Sequence, residues 1–210
     1  DRETRRARRL EAEGERRMAR RLRAEALWES ELAEPGARFR AWLNMMAVDH
    51  GILRVLYLNL HRVGDRAWRS AQPSPRQIER LARRGLKSVI FLRGGVLFGS
   101  YALERDVCAR LGLDFHRTVL RSRGLPSREE LRDLRNLMQE VETPVLFHCK
   151  SGADRAGFMA ALWMIFQGTM IHPAVMVVMI TPRRILMYLG KREVISLAQE
   201  MTLADKLVPI

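Results

Sequence analysis

The sequence has few cysteines, few aromatic residues and no excess of acidic charge. Only two cysteines, Cys108 and Cys149, occur in 210 residues, which excludes a disulfide framework of the kind that supports small secreted domains. Aromatic residues make up 7% of the chain, and the Arg-rich residues 1–23 have none interleaved with their cations, as a nucleic-acid-binding module would. Hydrophobic residues still account for 47% and charged residues for 29%, which excludes a disordered or fibrous chain. Two cysteines without a disulfide framework leave open a reduced compartment and a thiol that takes part in the chemistry.

Positive charge is in excess and is concentrated near the first residues. The formal net charge is +13, and residues 1–23 contribute +5 of it through ten Arg and five acids. A basic surface attracts phosphorylated substrates, nucleic acid or anionic lipid, and net charge does not choose among them. We expect a phosphorylated protein, lipid or small molecule as partner and no nucleic acid. Contact with an anionic membrane surface stays open, and the oligomeric state is undetermined.

Composition divides the chain into four segments. Residues 1–36 are predicted to form a charged helical extension whose Arg and Glu side chains pair along the helix. Residues 37–60 are predicted to form an amphipathic helix and a connector. Residues 61–180 are predicted to form the main domain. Residues 181–210 form a basic tail, which we expect to be helical.

The connector has apolar residues at helical spacing. Phe39, Trp42, Leu43 and Met46 fall on one side of a helix. The pattern predicts that this side packs on the main domain.

The main domain alternates between strand patterns and helix patterns. Strands are predicted at 61–63, 68–72, 88–92, 115–120 and 144–147. Capping boxes predict two of the helix starts, at Ser74 with Gln77 and at Ser127 with Glu130. This alternation is typical of an α/β fold with a mostly parallel central sheet and helices on both faces.

Residues 156–182 carry no charge, so a membrane span has to be considered. Gln167-Gly168-Thr169 and His172-Pro173 divide this stretch into two pieces, each shorter than the roughly 20 residues that a spanning helix needs. We therefore predict two buried core helices. We expect a cytoplasmic location, with membrane-peripheral contact left open. The chain begins at Asp1 rather than Met, so a leader before it also stays open.

Residues 148–157 carry the chemistry: His-Cys-Lys-Ser-Gly-Ala-Asp-Arg-Ala-Gly. They lie between a predicted buried strand and an apolar helix, where backbone N–H groups of a loop can converge on one anion and the helix N-terminus adds positive field. Arg155 offers a planar fork for two phosphate oxygens, and the field favours the nucleophilic thiolate of Cys149. The predicted phosphate-binding residues are Lys150, Ser151, Gly152, Ala153, Asp154 and Arg155. An inert buried Cys149 is disfavoured, whereas Cys108 is predicted to be a small core residue.

This Cys-x5-Arg loop resembles the loop of cysteine-dependent protein tyrosine phosphatases, and the chain looks like an atypical dual-specificity-type member. The resemblance runs from about His61 to Phe166. Further matches, to a bacterial branch that includes members linked to lipid A phosphate removal, are Trp68-Arg69-Ser70-Ala71-Gln72-Pro73 and Phe91-Leu92-Arg93-Gly94. The resemblance implies that Cys149 is the nucleophile and Arg155 the phosphate clamp, with no metal and no cofactor.

The general acid departs from the family pattern. Such phosphatases usually carry an Asp on a loop that here reads Arg121-Ser122-Arg123-Gly124-Leu125-Pro126, without a carboxylate. Asp114 is disfavoured because it begins the preceding strand. Asp154 is our candidate acid. The alternatives are that Asp154 only stiffens the loop, or that the leaving group needs no proton.

A second departure is Ala156, which stands where family members commonly have Ser or Thr. That hydroxyl would assist departure of the thiolate from the phosphoenzyme, and Ser151 is a candidate substitute.

Three arginines follow strand ends at the edge where open parallel sheets bind ligands. Arg93, Arg121 and Arg123 are therefore predicted to contact a second phosphate or an anionic headgroup of the substrate. The alternative is that they are solvent-facing loop residues.

These observations predict a phosphatase that hydrolyses phosphomonoesters, such as phosphotyrosine or lipid A, through a cysteinyl-phosphate on Cys149. The alternative is a catalytically weak phosphate-recognition module that docks phosphorylated lipid or protein. The missing acid and Ala156 favour the alternative, and the intact Cys149 and Arg155 favour the enzyme.

Overall fold

The computed structural model describes residues 36–94, 98–120 and 126–167 continuously. It also describes isolated positions at 12–16, 18–19, 22–24, 26–28, 32, 34, 196 and 198–200. The central element is a five-stranded sheet in the order β1-β2-β5-β3-β4. Its strands are β1 His61–Val63, β2 Ala67–Ala71, β3 Ser88–Phe91, β4 Asp114–Arg117 and β5 Val145–Cys149. Only the edge strand β1 is antiparallel to its neighbour, which confirms the predicted, mostly parallel sheet.

Helices cover both faces of the sheet, as predicted. They are α1 Ala37–Leu43, α2 Gly51–Leu56, α3 Pro75–Ala82, α4 Gly99–Leu111, α5 Arg128–Glu140 and α6 Asp154–Phe166, with a π-helical turn at Asn44–Val48. On one face α3 and α4 bury Ile78 and Val107 against the sheet. On the other face α5 and α6 bury Leu131 and Leu162. The continuous apolar strands follow from this double covering.

Both predicted capping boxes are present and define where two helices begin. Gln77 Oε1 accepts the Ser74 N–H at 2.8 Å, and Pro75 opens α3. At α5 the Glu130 N–H donates to Ser127 Oγ at 3.1 Å, and the Ser127 N–H donates to Glu130 Oε2 at 2.7 Å. Each pair satisfies N–H groups that have no partner inside the helix.

The prediction for the inner face of α1 is wrong for Phe39, Trp42 and Leu43, whereas Met46, just after the helix, is partly buried as predicted. Phe39 and Trp42 are 61% and 43% exposed and stack on each other, whereas Ala41 and Met45 are buried. The reason is a close backbone approach, because a Cβ on Gly99 at the start of α4 would lie 2.4 Å from Ala41 O. At Ala41 only a small side chain fits against α4, so Phe39 and Trp42 on either side of it face outward.

The charged extension is helical at the described residues 12–16, 18–19, 22–24 and 26–28, whereas residues 32, 34 and 36 lie in turns or bends. Near its end, Trp28 and Leu32 are buried in a cluster with Ala41 and Met45. The second predicted core helix and most of the tail lie outside the described residues, so the boundaries of residues 61–180 and 181–210 stay predictions. No helix in the described part of the chain is both long enough and apolar enough to cross a membrane.

Candidate active site

Cys149 is the last residue of β5, at the carboxyl edge of the sheet. Its strand partner on β2 is Ala71, and on the β3 side the Leu92 N–H donates to His148 O at 3.1 Å. The thiol is 2% exposed. Asp114 is paired with Ser88 at the opposite, amino-terminal edge, so the sheet separates it from Cys149. Asp114 is therefore no candidate for the general acid.

The loop after Cys149 turns tightly against β2. Gly152 has φ +75°, and a Cβ on it would lie 2.5 Å from Ala71 N and 2.6 Å from Ser70 C. A side chain is thus disfavoured twice, by the left-handed backbone and by contact with main-chain atoms. This glycine lets the loop fold back beside the strand that flanks the nucleophile.

Two side chains hold successive carbonyls of this loop from outside. Asn59 Nδ2 donates to Ser151 O at 3.0 Å, and Arg69 Nη1 donates to Gly152 O at 2.6 Å. Asn59 precedes β1 and Arg69 lies on β2, so different elements bind neighbouring peptide groups.

The main chain just after β2 makes a third such contact. The Gln72 N–H donates to Lys150 O at 3.4 Å. Three consecutive carbonyls of the loop, those of Lys150, Ser151 and Gly152, are therefore hydrogen-bonded to residues outside the loop.

Arg155 and Asp154 occupy the first turn of α6. Arg155 Nη1 donates to Leu92 O at 3.2 Å, which ties the guanidinium to the exit of β3. Asp154 is the first residue of the helix and is partly buried. Ala156 is fully buried. The side chain of Ser151 is exposed, and Ala153 is partly buried.

The side chains of Lys150 and Arg93 converge on Asp49, a fully buried carboxylate. Lys150 Nζ lies 3.3 Å from Asp49 Oδ1. Arg93 binds both carboxylate oxygens, at 2.6 and 2.8 Å, and its side chain is 8% exposed. Binding of substrate by the Arg93 guanidinium would require this pair to open, and the role stays a prediction. The Lys150 side chain is 43% exposed, and its predicted role in binding phosphate stays a prediction.

Asp49 also contacts Arg54 and Ser100. Arg54 Nη2 lies 2.8 Å from Asp49 Oδ2, and Ser100 Oγ donates to the same oxygen at 2.9 Å. Burial alone would raise the pKa of Asp49, but the Arg93 hydrogen bond and charge, together with the charge of Arg54 and the Ser100 hydrogen bond, lower it to about 2. The carboxylate is charged at neutral pH and balances a cluster of buried cations.

A chain of buried polar contacts connects the two residues on either side of Cys149. Arg93 Nη1 donates to Gln72 Oε1 at 3.1 Å, and the side-chain NH₂ group of Gln72 donates to the carboxylate of Glu104. Glu104 Oε1 lies 2.7 Å from His148 Nε2, in ion-pair range although the alignment falls short of hydrogen-bond geometry. His148 directly precedes Cys149 in the chain. Lys150, whose side chain is paired with Asp49, directly follows it.

Sequence reasoning missed most of these supporting residues. Arg69 and Gln72 lie in the segment Trp68–Pro73, which resembles the family, but the resemblance implies no role for either residue. Asp49 had one signal: it is the only acid in the apolar run from 41 to 58. No feature of the sequence indicated a role for Asn59 or Glu104.

Two predicted substrate contacts, Arg121 and Arg123, lie outside the described residues. Cys108 is in the core, where burial raises the pKa of its thiol. Among the described residues no three His, Cys, Asp or Glu side chains are grouped as metal ligands would be.

Three solved structures share this fold. TpbA from P. aeruginosa is 20% identical, with a TM-score of 0.54 over 70% of this chain and 91% of its own. The core catalytic domain of the PP-IP phosphatase SIW14 from S. cerevisiae is 18% identical, with a TM-score of 0.54 over 72% and 95%. A DUF442 protein from Shewanella putrefaciens CN-32 is 18% identical, with a TM-score of 0.57 over 71% and 95%. At these identities the likeness is one of fold.

A parallel sheet that presents a Cys-x5-Arg loop at its carboxyl edge defines a cysteine-dependent phosphatase of the tyrosine or dual-specificity type. The family model described as a DSP-PTPase phosphatase fused to NAD+ kinase matches residues 60–184, more than half of the chain. The chain belongs to this family. No curated protein is significantly similar to it.

Proposed function

We propose that the chain hydrolyses phosphomonoesters in two steps through a cysteinyl-phosphate. The thiolate of Cys149 attacks phosphorus, so that an S–P bond forms while the P–O bond to the leaving group breaks. The loop N–H groups and the Arg155 guanidinium bind the equatorial oxygens. Water then attacks the same phosphorus, the S–P bond breaks, and phosphate and the thiolate are released.

The observation that carries this proposal is the position of Cys149. It ends a buried strand and is followed by a loop whose carbonyls are bonded outward. Arg155 is tied beside that loop through Leu92 O. The intact Cys149 at this position, together with Arg155, favours an enzyme over a module that only binds phosphate.

For the general acid we propose Asp154. It lies on the loop–helix junction next to Arg155, and Asp114 is on the far edge of the sheet. The proton would pass from its carboxyl group to the leaving oxygen during attack by Cys149. A role in stiffening the loop is the competing explanation.

The first test compares cysteine variants with an activated aryl phosphate. Cys149→Ser should reduce turnover to background while vanadate still binds, because the cradle consists of main chain and Arg155. Cys108→Ala is the matched control and should retain turnover. Arg155→Lys should lower the turnover rate roughly 10²–10³-fold, since the point charge of Lys does not replace the two parallel hydrogen bonds that a planar guanidinium makes to phosphate. Turnover by Cys149→Ser would contradict the covalent route. Vanadate binding by wild type without turnover would support the recognition module instead.

The same assay tests Asp154. Asp154→Asn should slow esters with poor leaving groups much more than activated aryl phosphates, and the basic limb of its pH–rate profile should be lost. Equal slowing of both substrate types would assign Asp154 to loop stiffening.

We propose no single physiological ester. Candidate substrates are a phosphotyrosine peptide, lipid A and inositol phosphates, the last because SIW14 is named a PP-IP phosphatase. Comparing kcat/KM across this panel with the purified protein would identify the class.

We also propose that the protein contacts anionic membrane surfaces peripherally. Large apolar side chains are exposed throughout residues 39–57, among them Ile52, Leu53 and Leu56, at 61, 67 and 82%. The net charge of +13 complements an anionic bilayer.

A further inference from the structure

The carbonyl contacts of Asn59 and Arg69 determine where the N–H groups of the loop point. In a planar trans peptide the C=O and the N–H project from opposite edges. A donor that holds Ser151 O therefore turns the Gly152 N–H to the other side, and a donor on Gly152 O does the same for the Ala153 N–H. An anion cradle requires N–H groups that converge on its inner side. These two side chains orient the cradle without entering it.

Arg69 also places positive charge beside the nucleophile. The side chain is partly buried, and burial lowers the pKa of its guanidinium, while charge interactions with Cys149 and Tyr57 act in the opposite direction. That interaction is mutual, so the cation that benefits from the thiolate also stabilises it.

Asn59 is held in the orientation that this contact needs. Its Oδ1 lies 2.8 Å from His61 Nε2 and accepts from the Tyr57 hydroxyl at 3.4 Å. With the carbonyl end of the amide bonded in this way, the NH₂ end faces Ser151 O. Its backbone has φ +51°, a left-handed conformation that Asn adopts more readily than most residues.

We propose that Arg69 is a positioning residue that holds the Gly152 carbonyl and supplies a second positive charge to the Cys149 thiolate, with Asn59 as the companion that holds the Ser151 carbonyl. The inference rests on the proposed role of Cys149 as nucleophile. Neither residue contacts the substrate in this scheme. The two roles of Arg69, hydrogen bonding and charge, are separable by substitution.

The experiment measures the rate of Cys149 alkylation by iodoacetamide at pH 7, followed by mass spectrometry, and the affinity for orthovanadate. Arg69→Gln removes the charge and should lower the alkylation rate about tenfold. Arg69→Lys keeps the charge, so its alkylation rate should stay near wild type while vanadate binding weakens about fivefold. Arg62→Gln, a substitution of an exposed arginine on β1, is the control and should match wild type.

Asn59→Gly tests the second carbonyl contact without backbone strain, because glycine tolerates the positive φ. Vanadate binding should weaken about tenfold, and the alkylation rate should stay near that of wild type, since no charge is lost. In steady-state assays kcat should fall more than KM rises, because a misaligned cradle stabilises the transition state less.

An unchanged alkylation rate in Arg69→Gln, or unchanged vanadate affinity in both Arg69→Lys and Asn59→Gly, would overturn the inference. Thermal melts show whether each variant is folded, and Arg69→Lys and Asn59→Gly keep the test decisive if Arg69→Gln is not. Alkylation and vanadate binding need no turnover. A wild-type protein that binds vanadate but does not hydrolyse esters would therefore reject the proposed function and leave this inference to be judged separately.

Discussion

At the scale of single residues, the position after Arg155 distinguishes this chain. Ala156 is fully buried at the start of α6, so no hydroxyl is present there to donate to the sulfur of Cys149. Breakdown of a cysteinyl-phosphate places negative charge on that sulfur. The second step should therefore be the slower one.

A pre-steady-state burst with an activated aryl phosphate is the expected consequence. A charge-assisted hydrogen bond is worth about 1.5–3 kcal/mol, or roughly 10- to 150-fold in rate. Ala156→Ser should therefore raise the steady-state rate by up to that factor and shrink the burst. Stopped-flow release of the aryl alcohol, with mass spectrometry of the acid-quenched enzyme, measures both.

The matched control is Ala160→Ser, which buries the same hydroxyl one turn further along α6. It should leave burst and rate unchanged. Linear product release without phosphorylated Cys149 in the wild-type enzyme would show that formation of the intermediate is rate-limiting, or that Ser151 already supplies the hydrogen bond.

At the scale of elements, local signals predicted what local physics determines. The capping boxes at Ser74 and Ser127 predicted where α3 and α5 begin, because a cap depends on four consecutive residues. Short apolar runs in the sequence predicted the strands. The buried side of α1 could not be read locally, because it depends on the approach of Gly99, almost 60 residues away, to Ala41. The carbonyl contacts of Asn59 and Arg69 depend on the same kind of distant pairing.

The exposed apolar side chains of α2 give an element-scale prediction. The protein should sediment with vesicles that contain anionic lipid and not with neutral ones, and added salt should weaken the binding. The double variant Leu53→Ser/Leu56→Ser should bind roughly tenfold more weakly, since two exposed side chains would no longer bury apolar area. Leu111→Ser, at the end of α4, is the control. Equal binding to both vesicle types, or no effect of the double variant, would reject the membrane proposal.

At the scale of the whole molecule, the connector and the catalytic loop are parts of one buried network. Asp49, which follows the π-helical turn, contacts Arg54 of α2, Arg93 beyond β3 and Lys150 in the loop. A sequence shows such a residue only as a lone acid in an apolar run. Its partners become evident once the fold assembles them, because they come from three separate segments. The stability of the fold and the geometry of the site therefore depend on the same carboxylate.

Acid titration of Asp49 should be visible in global stability. Its pKa is about 2 in the folded protein against 3.8 as the ordinary value, so the unfolded chain binds more protons between these pH values. The stabilisation is complete above about pH 4 and is lost as pH falls towards 2, and a shift of this size corresponds to about 2–3 kcal/mol.

Asp49→Asn should lower the free energy of unfolding at pH 7 by at least that amount, because the buried Arg54 and Arg93 lose their counter-charge. Urea unfolding from pH 7 to pH 2 measures the difference between variant and wild type, which should shrink below pH 4. Asp65→Asn, a substitution of a 99% exposed carboxylate, should follow wild type throughout, and a constant difference for Asp49→Asn down to pH 2 would contradict the assignment.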